Sequence, residues 1–449
     1  MRQAHDPGRT APGPTLQWAN GGEKTMRLYP SAALLAAFAL SAGFAHADTT
    51  LNVLIDNGAA SVAAMNALTA AYTAAHPGVT FEIEQRPGGT DGDNIIKTRL
   101  ATGEMADVFI YNSGSLFQAM KPVDTLADLT NLPGEANVLD SFKATVTGTD
   151  GKIYGVPFGT AMGGGILYNK KIYADLGLSV PKTWADFMAN NEKIKAAGKV
   201  PVIQSFGDTW TSQLFVLGDF YNVQAAVPTF AADYTGNKAK YATTPAAMAG
   251  FQHQEDVFKA GYLNPDFGAA KLDDALSMLA TGGGAHYPML TFAVANIKQN
   301  NPDKLADVGF FAEPGADAAH NGLTVWMPQG IYIPKSSKNL DEAKKFLDFV
   351  ATTQGCDIQT TANGATGPYL VKGCTLPADV PAIVADMMPY FQADGMTAPA
   401  LEYLSPVKGP SLEQITVEVG SGIRPAADAA ALYDQDVEKQ AKQLGLPNW

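Results

Sequence analysis

Four short segments set aromatic rings beside hydrogen-bonding side chains: Tyr111-Asn112-Ser113, Asp208-Thr209-Trp210-Thr211, Tyr287-Pro288-Met289 and Trp326-Met327-Pro328-Gln329. A pyranose needs this mixture, because its C–H faces stack on rings while its hydroxyls require paired donors and acceptors. Any one of these rings is equally explained as core. Their joint placement at expected strand ends is what points to a ligand site.

Tools for breaking bonds are scarce. The chain has no Gly-x-Ser-x-Gly elbow, no His-Glu-x-x-His pair and no Gly-Lys-Ser/Thr phosphate loop. The histidines downstream of residue 47 (His76, His253, His286 and His320) are scattered without the spacing of a metal site. They are expected to be surface or structural, and no metal or cofactor is expected. Gly163-Gly164-Gly165 opens an extended segment and predicts close backbone approach, whereas Gly282-Gly283-Gly284 reads as a helix stop. Trp184, after Pro181-Lys182-Thr183, is expected to pack at a helix start. Carboxylates are numerous enough that a glycosidase pair stays open as an alternative.

The elements that must position these groups alternate. Leu51 to Asp56 reads as a strand, and Ser61 to Ala75 carries Val62, Met65, Leu68 and Tyr72 at helical spacing before stopping at His76-Pro77-Gly78. Val79 to Gln85 predicts a second strand, Asn94 to Ala101 a helix, and Ala106 to Tyr111 a third strand. This βαβαβ order predicts a parallel α/β sheet, whose ligands bind at the carboxyl ends of the strands. Those ends are Asn57-Gly58, Arg86 to Asp91, and Tyr111 to Ser115. Ile153 to Phe158, Gly165 to Tyr168 and Pro201 to Phe206 read as further strands, with a helix over Trp184 to Ala197, so a second α/β lobe is expected. Gly322 to Pro334 reads as a strand crossing. Leu340 to Ala351 reads as an amphipathic helix with Ala343, Phe346, Leu347 and Val350 inward, and from Pro377 onward the chain reads as helices.

With 449 residues, 46% apolar, the chain is long enough for two domains. Mean hydropathy near zero (-0.04) sets aside disorder and a multi-span membrane fold. A formal charge of -13, with no Lys/Arg run, makes nucleic acid an unexpected partner. Met26 and Arg27 precede an apolar stretch from Ala32 to Phe44 and the small-x-small triplet Ala45-His46-Ala47. This predicts a signal peptide cleaved after Ala47, since the stretch is shorter than the roughly 20 residues a spanning helix needs. No cysteine follows the cleavage point, so a free periplasmic protein without a lipid anchor is expected. The two cysteines, Cys356 and Cys374, lie in the exported part and are expected to pair in an oxidising compartment; reduced thiols or a metal site are the alternatives.

Three pieces together resemble the carbohydrate-specific solute-binding proteins of ABC importers, extracellular solute-binding protein family 1, in the plan of the maltodextrin-binding proteins. They are Leu100-Ala101-Thr102-Gly103-Glu104-Met105-Ala106-Asp107-Val108; Leu167-Tyr168-Asn169-Lys170-Lys171-Ile172-Tyr173 with Gly177 and Pro181 to Phe187; and Ile333-Pro334-Lys335-Ser336-Ser337 leading into Glu342 to Leu347. The resemblance covers residues 48 to 449. It implies a two-lobed periplasmic-binding-protein fold (type II, flytrap) whose hinge the chain crosses three times, near Gly155 to Phe158, Leu323 to Gln329 and Thr353 to Gln359. The implied division is 48–156 and 326–355 for the N-lobe, 157–325 and 356–449 for the C-lobe. Implied sugar contacts fall on Asn57, Gly58, Tyr111 to Ser115 (with Asn112 and Ser113), Met162, Gly163, Asp208 to Thr211, Met289 to Phe292 and Lys408 to Ser411.

The chain departs from the maltodextrin pattern at Asn57-Gly58-Ala59, where an acid and a base would be expected, and at Met162, where that relative has a glutamate. Arg86, Thr90 and Asp91 at the second strand end are candidates to replace those contacts, alongside Tyr287, Trp326 and Gln329 from the ring-bearing segments. The implied function is capture of a mono- or oligosaccharide between two lobes and delivery to a membrane permease, as a monomer, with no bond broken. The alternatives are a secreted glycosidase or polysaccharide lyase, and a receptor for a glycerol phosphodiester, a polyamine or ferric ion.

Overall fold

A computed structural model describes residues 49–449; the leader and its cleavage point lie outside the described residues. The first sheet begins with β1 (Thr49–Asp56), where Val53, Leu54 and Ile55 are all buried, as a strand covered on both faces requires. β2 (Val79–Arg86) lies parallel on one side of β1 and β3 (Val108–Tyr111) parallel on the other. β2 is the sheet edge, and its half-exposed pattern suits Glu82, Glu84 and Gln85. Helix α1 (Ala59–Ala75) joins β1 to β2 and buries Met65, Leu68 and Tyr72 on one stripe, as their three- and four-residue spacing predicts. Helix α2 (Gly89–Thr102) joins β2 to β3 and ends at Gly103 in the left-handed conformation (φ 74°). β4 (Gly155–Phe158) completes the sheet through a strand from far along the chain, β10 below.

The second sheet is built around β5 (Met162–Asn169). β6 (Val200–Val202) and β7 (Gly284–Leu290) lie on one side of it; β8 (Val308–Ala312), β9 (Leu323–Trp326) and β11 (Thr397–Pro399) lie on the other, with β11 on β9. β10 (Gln329–Tyr332) returns to the first sheet and pairs antiparallel with both β3 and β4, giving the order β2-β1-β3-β10-β4. This is the expected two-lobed α/β architecture.

The expected crossing over Gly322 to Pro334 is two strands, one in each sheet, with the chain passing between lobes at Met327–Pro328. The first passage lies between β4 and β5. Residues Thr353 to Gln359, expected to hold the third, belong instead to a helix (Thr353–Asn363) packed on α1. After it, Leu370 and Val371 still pair with the first lobe at Leu139 and Val138, so the third passage comes later. It precedes helix Ala382–Gln392, which packs on β8. Cys356 and Cys374 are joined in a disulfide that ties helix Thr353–Asn363 to the segment following Val371.

Local signals agree with these placements. Thr183 caps helix Trp184–Ala196 by accepting from the Asp186 N–H (3.1 Å), and Trp184 packs on Phe187 and Phe215. Ala343, Phe346, Leu347 and Val350 are buried on helix Leu340–Val350. Pro201 to Phe206 shrinks to the three-residue β6, while the glycine triplet does stop a helix, Gly282 closing Leu272–Thr281 in the left-handed conformation (φ 78°) before Gly284 opens β7. Pro288 is tolerated inside β7 because it lies beyond His286, the last residue paired with β6, so no ladder bond is lost on that side.

Candidate functional site

The two sheets present facing ends. From the first lobe come the residues after β1, β2 and β3 and the start of β10; from the second come the start of β5, the ends of β7 and β9, and the turn after β6. After β1, Asp56 accepts from the Gly58 N–H (2.9 Å) and the Ser61 hydroxyl (3.1 Å), holding the turn into α1, and the Asn57 side chain is exposed. After β3, exposed Asn112 accepts from Gln329 Nε2 at 3.4 Å, which places two amides together at the mouth. Buried Ser113 donates to the Pro328 carbonyl (2.9 Å), and Tyr403 of the second lobe donates to the Met327 carbonyl (3.0 Å). The second passage between lobes is thereby held from both sides.

Arg86 and Tyr111 are buried rather than turned to solvent. Arg86 donates to the carbonyls of Pro87 (3.0 Å) and Ile110 (3.2 Å), and its guanidinium lies 5.6 Å from the Tyr111 ring centre. The pair stiffens two strand ends, which corrects the expectation of a free Arg86 contact. Asp93, one turn into α2, lies against the Tyr111 hydroxyl, whereas Asp91 is exposed. Burial raises the Asp93 carboxyl pKa, opposed by Tyr111, Lys97 and Lys408. Lys408 comes from the second lobe and also pairs with Glu402 at 3.4 Å.

The second lobe supplies the rings. Trp210, half-buried, lies 6.1 Å from Phe292 between ring centres, and a side chain at Gly88 of the first lobe would sit 3.9 Å from its Nε1. Trp326, expected as a contact, is instead buried (5% exposed) with Leu290 and Ala400, bordered by Met162, Phe292 and Tyr403, because its indole fills the space over the start of β5. Gly164 lies beneath Trp326, where a Cβ would come within 2.1 Å of the ring, so the expected close approach at the glycine triplet is made by this indole. Asp208 accepts from the Leu272 N–H (2.8 Å) at the start of the Trp210 turn.

Four expected contacts lie inside the second lobe instead of in the cleft. Gly163 donates its N–H to the Thr291 hydroxyl (3.1 Å) and accepts at its carbonyl from the Thr291 N–H (3.0 Å). Thr211 and Tyr287 are both bonded to Ser205, and Met289 is fully buried beside them on β7. The reason is that β7 is buried along its whole length, so neither of its faces opens to the cleft at Tyr287 or Met289.

Glu413 was not among the expected contacts. Its Oε2 accepts from Thr209 (2.7 Å) in the second lobe and from Thr90 (3.2 Å) in the first turn of α2, where the helix dipole favours a carboxylate. No local motif marks it, since its partners are separated from it by 204 and 323 residues. These strand ends therefore hold one half-buried indole, Trp210, with exposed amides, carboxylates and one lysine, a set suited to neutral polyhydroxylated ligands.

Residues 56–356 match the family of bacterial extracellular solute-binding proteins. Over 294 residues, 63% of this chain and 67% of the relative, the sequence is 28% identical to the multiple sugar-binding protein of Streptococcus mutans. A solved chitin oligosaccharide binding protein superposes with a TM-score of 0.77 at 22% identity, covering 88% of this chain and 99% of that one. The structure of SBP RafE in complex with raffinose superposes with a TM-score of 0.72 at 19% identity, covering 86% and 99%. At these identities the two structural likenesses speak for the fold.

Proposed function

The chain belongs to the bacterial extracellular solute-binding protein family, and from that premise we propose that it is the carbohydrate receptor of an ABC importer. It captures a sugar between its lobes and delivers it to a membrane permease without breaking a bond. What supports this reading is half-buried Trp210 in the second lobe together with Asn57, Asn112 and Gln329 at strand ends of the first. Flat apolar faces opposite hydroxyl-binding amides recognise a pyranose on both its surfaces. The names of the relatives, a multiple sugar-binding protein and structures named for chitin oligosaccharide and raffinose, support an oligosaccharide over a phosphorylated or cationic solute. Asp91, Asp208, Met162 and Lys408 line the same opening in this reading, while Arg86, Tyr111, Thr211, Tyr287, Met289 and Gly163 support it from behind. Closure about the three passages would follow from tighter binding to the closed form. The protein acts as a periplasmic monomer after removal of its leader; among the described residues no helix is long and apolar enough to cross a membrane.

The test is thermal unfolding of residues 48–449 against mono-, di- and oligosaccharides, with product analysis of every hit. A ligand that binds only the folded state at a hundredfold excess over Kd stabilises by about 2.7 kcal/mol. A shift with one sugar class and ligand recovered intact is the expected result. Consumed sugar would establish a glycosidase or lyase, and a shift only with phosphorylated or cationic solutes would overturn the carbohydrate assignment.

A further inference from the structure

We infer that Asp219, His253 and Glu313 form a binding site for one divalent cation of zinc-like chemistry inside the second lobe, separate from the sugar cleft. The three come from different elements: Asp219 joins helices Leu214–Gly218 and Phe220–Ala226, His253 lies within helix Pro245–Lys259, and Glu313 follows β8. One ligand atom from each lies within 4.8 Å of the other two, and His253 Nδ1 is 3.6 Å from Glu313 Oε1. Tetrahedral zinc ligands at their usual bond lengths stand about 3.4 Å apart, so small side-chain adjustments bring all three onto one ion.

The donor atoms are buried and waiting. Asp219 and Glu313 are each 1% exposed and His253 7%. Asp219 Oδ2, His253 Nδ1 and both Glu313 carboxylate oxygens have no hydrogen-bond partner. Among the described residues no Lys or Arg forms an ion pair with either acid. Buried charge without a partner is strongly unfavourable, and two such acids side by side must take up protons or a cation. Neither Glu313 oxygen has a hydrogen-bond partner, so both are left for an ion to ligate.

The surroundings are shaped for those donors. Asn222 Nδ2 donates to the other Asp219 oxygen (2.7 Å) and to the Glu313 carbonyl (3.1 Å), orienting both from behind. Trp184 stacks on the His253 ring at 3.7 Å and 14°, fixing its plane. A Cβ at Gly218 would sit 2.5 Å from Glu313 Oε2, so glycine there makes room for the carboxylate. One imidazole with two carboxylates suits zinc, whereas calcium and magnesium favour all-oxygen sets. The ion would clamp three elements of the second lobe together. Nothing in the sequence spacing of the three residues indicates this.

The experiment uses untagged protein, stripped with a chelator, desalted, reloaded with Zn2+ alone and analysed by elemental mass spectrometry and thermal unfolding. The expected result is about one Zn2+ retained per chain, a higher Tm on reloading, and at least tenfold weaker binding in Glu313→Gln and in His253→Gln. Cobalt substitution should give visible absorption bands that both variants lose. Exposed His320, paired with Asp317, is the control for surface binding, and His320→Gln should retain the ion. Retention equal in wild type, Glu313→Gln and His253→Gln would overturn the site. So would absence of retention and of any Tm shift with Zn2+, Co2+ or Mn2+; this wild-type arm decides the matter if the variants fail to fold.

Discussion

Thr90 and Glu413, 323 residues apart in the chain, share a hydrogen bond of 3.2 Å that joins the two lobes. The same carboxylate oxygen accepts from Thr209 at 2.7 Å, one residue before Trp210, so the first turn of α2 is tied to the turn that carries the candidate stacking ring. Hydrogen bonds to a charged group contribute about 1.5–3 kcal/mol each. Glu413→Ala should therefore favour the open form and weaken sugar binding by roughly tenfold or more. Small-angle scattering without ligand and calorimetric Kd values read the two effects, and a variant identical to wild type in both would remove Glu413 from the closing contacts.

Trp210 is half-buried, so truncating it should leave the fold nearly intact while removing one face of the sugar site. Burying an apolar side chain is worth about 1.5–3 kcal/mol, which predicts a ten- to hundredfold loss of affinity in Trp210→Ala and a smaller one in Trp210→Phe. Tryptophan fluorescence titration with the sugar identified by thermal shift checks this. Equal affinity in wild type and Trp210→Ala would place the sugar elsewhere.

Gly164 is set against Trp326 so closely that an added Cβ would lie 2.1 Å from the ring. Overpacking of this kind costs about 1–3 kcal/mol, so Gly164→Ala should lower Tm and, by displacing the indole, sugar affinity as well. Gly268→Ala, at a position where a Cβ meets nothing within 4 Å, is the control and should change neither. A Gly164→Ala protein as stable as that control would mean the ring moves freely.

Glu135 is buried without a hydrogen-bond partner for either oxygen, and burial lifts its pKa from 4.5 to about 7, opposed only by Lys143. The folded chain therefore holds this proton more tightly than the unfolded chain does. That contribution to stability is complete below pH 4.5 and is lost as pH rises through about 7. Glu135→Gln cannot titrate there, so it should gain stability relative to wild type as pH rises from 4.5 to 8. Urea unfolding across that range is the measurement, and parallel profiles would show the carboxyl to be solvated.

The periodic part of this molecule was legible in its residues. Met65, Leu68 and Tyr72 predict α1, Ala343 to Val350 predict a buried helix stripe, and the βαβαβ order predicts the parallel half of the first sheet; all are present. The ring-bearing segments were legible as types of side chain, yet only some face the cleft. Trp210 and Gln329 stay partly exposed, whereas Tyr287, Met289 and Trp326 are buried core, and in α2 it is Asp93, not Asp91, that lies against Tyr111.

Local chemistry and spacing thus determined the elements, the exportable leader as an expectation, and the kind of groups a ligand would meet. Tertiary structure alone decided which face each group presents and which distant residues meet: Glu413 with Thr90 and Thr209, and Asp219 with His253 and Glu313. The physical reason is range. Helical and strand periodicities are set by neighbours within a few residues, whereas burial, ion pairing and the closing of a cleft depend on contacts whose partners are hundreds of residues away and leave no pattern in the intervening chain.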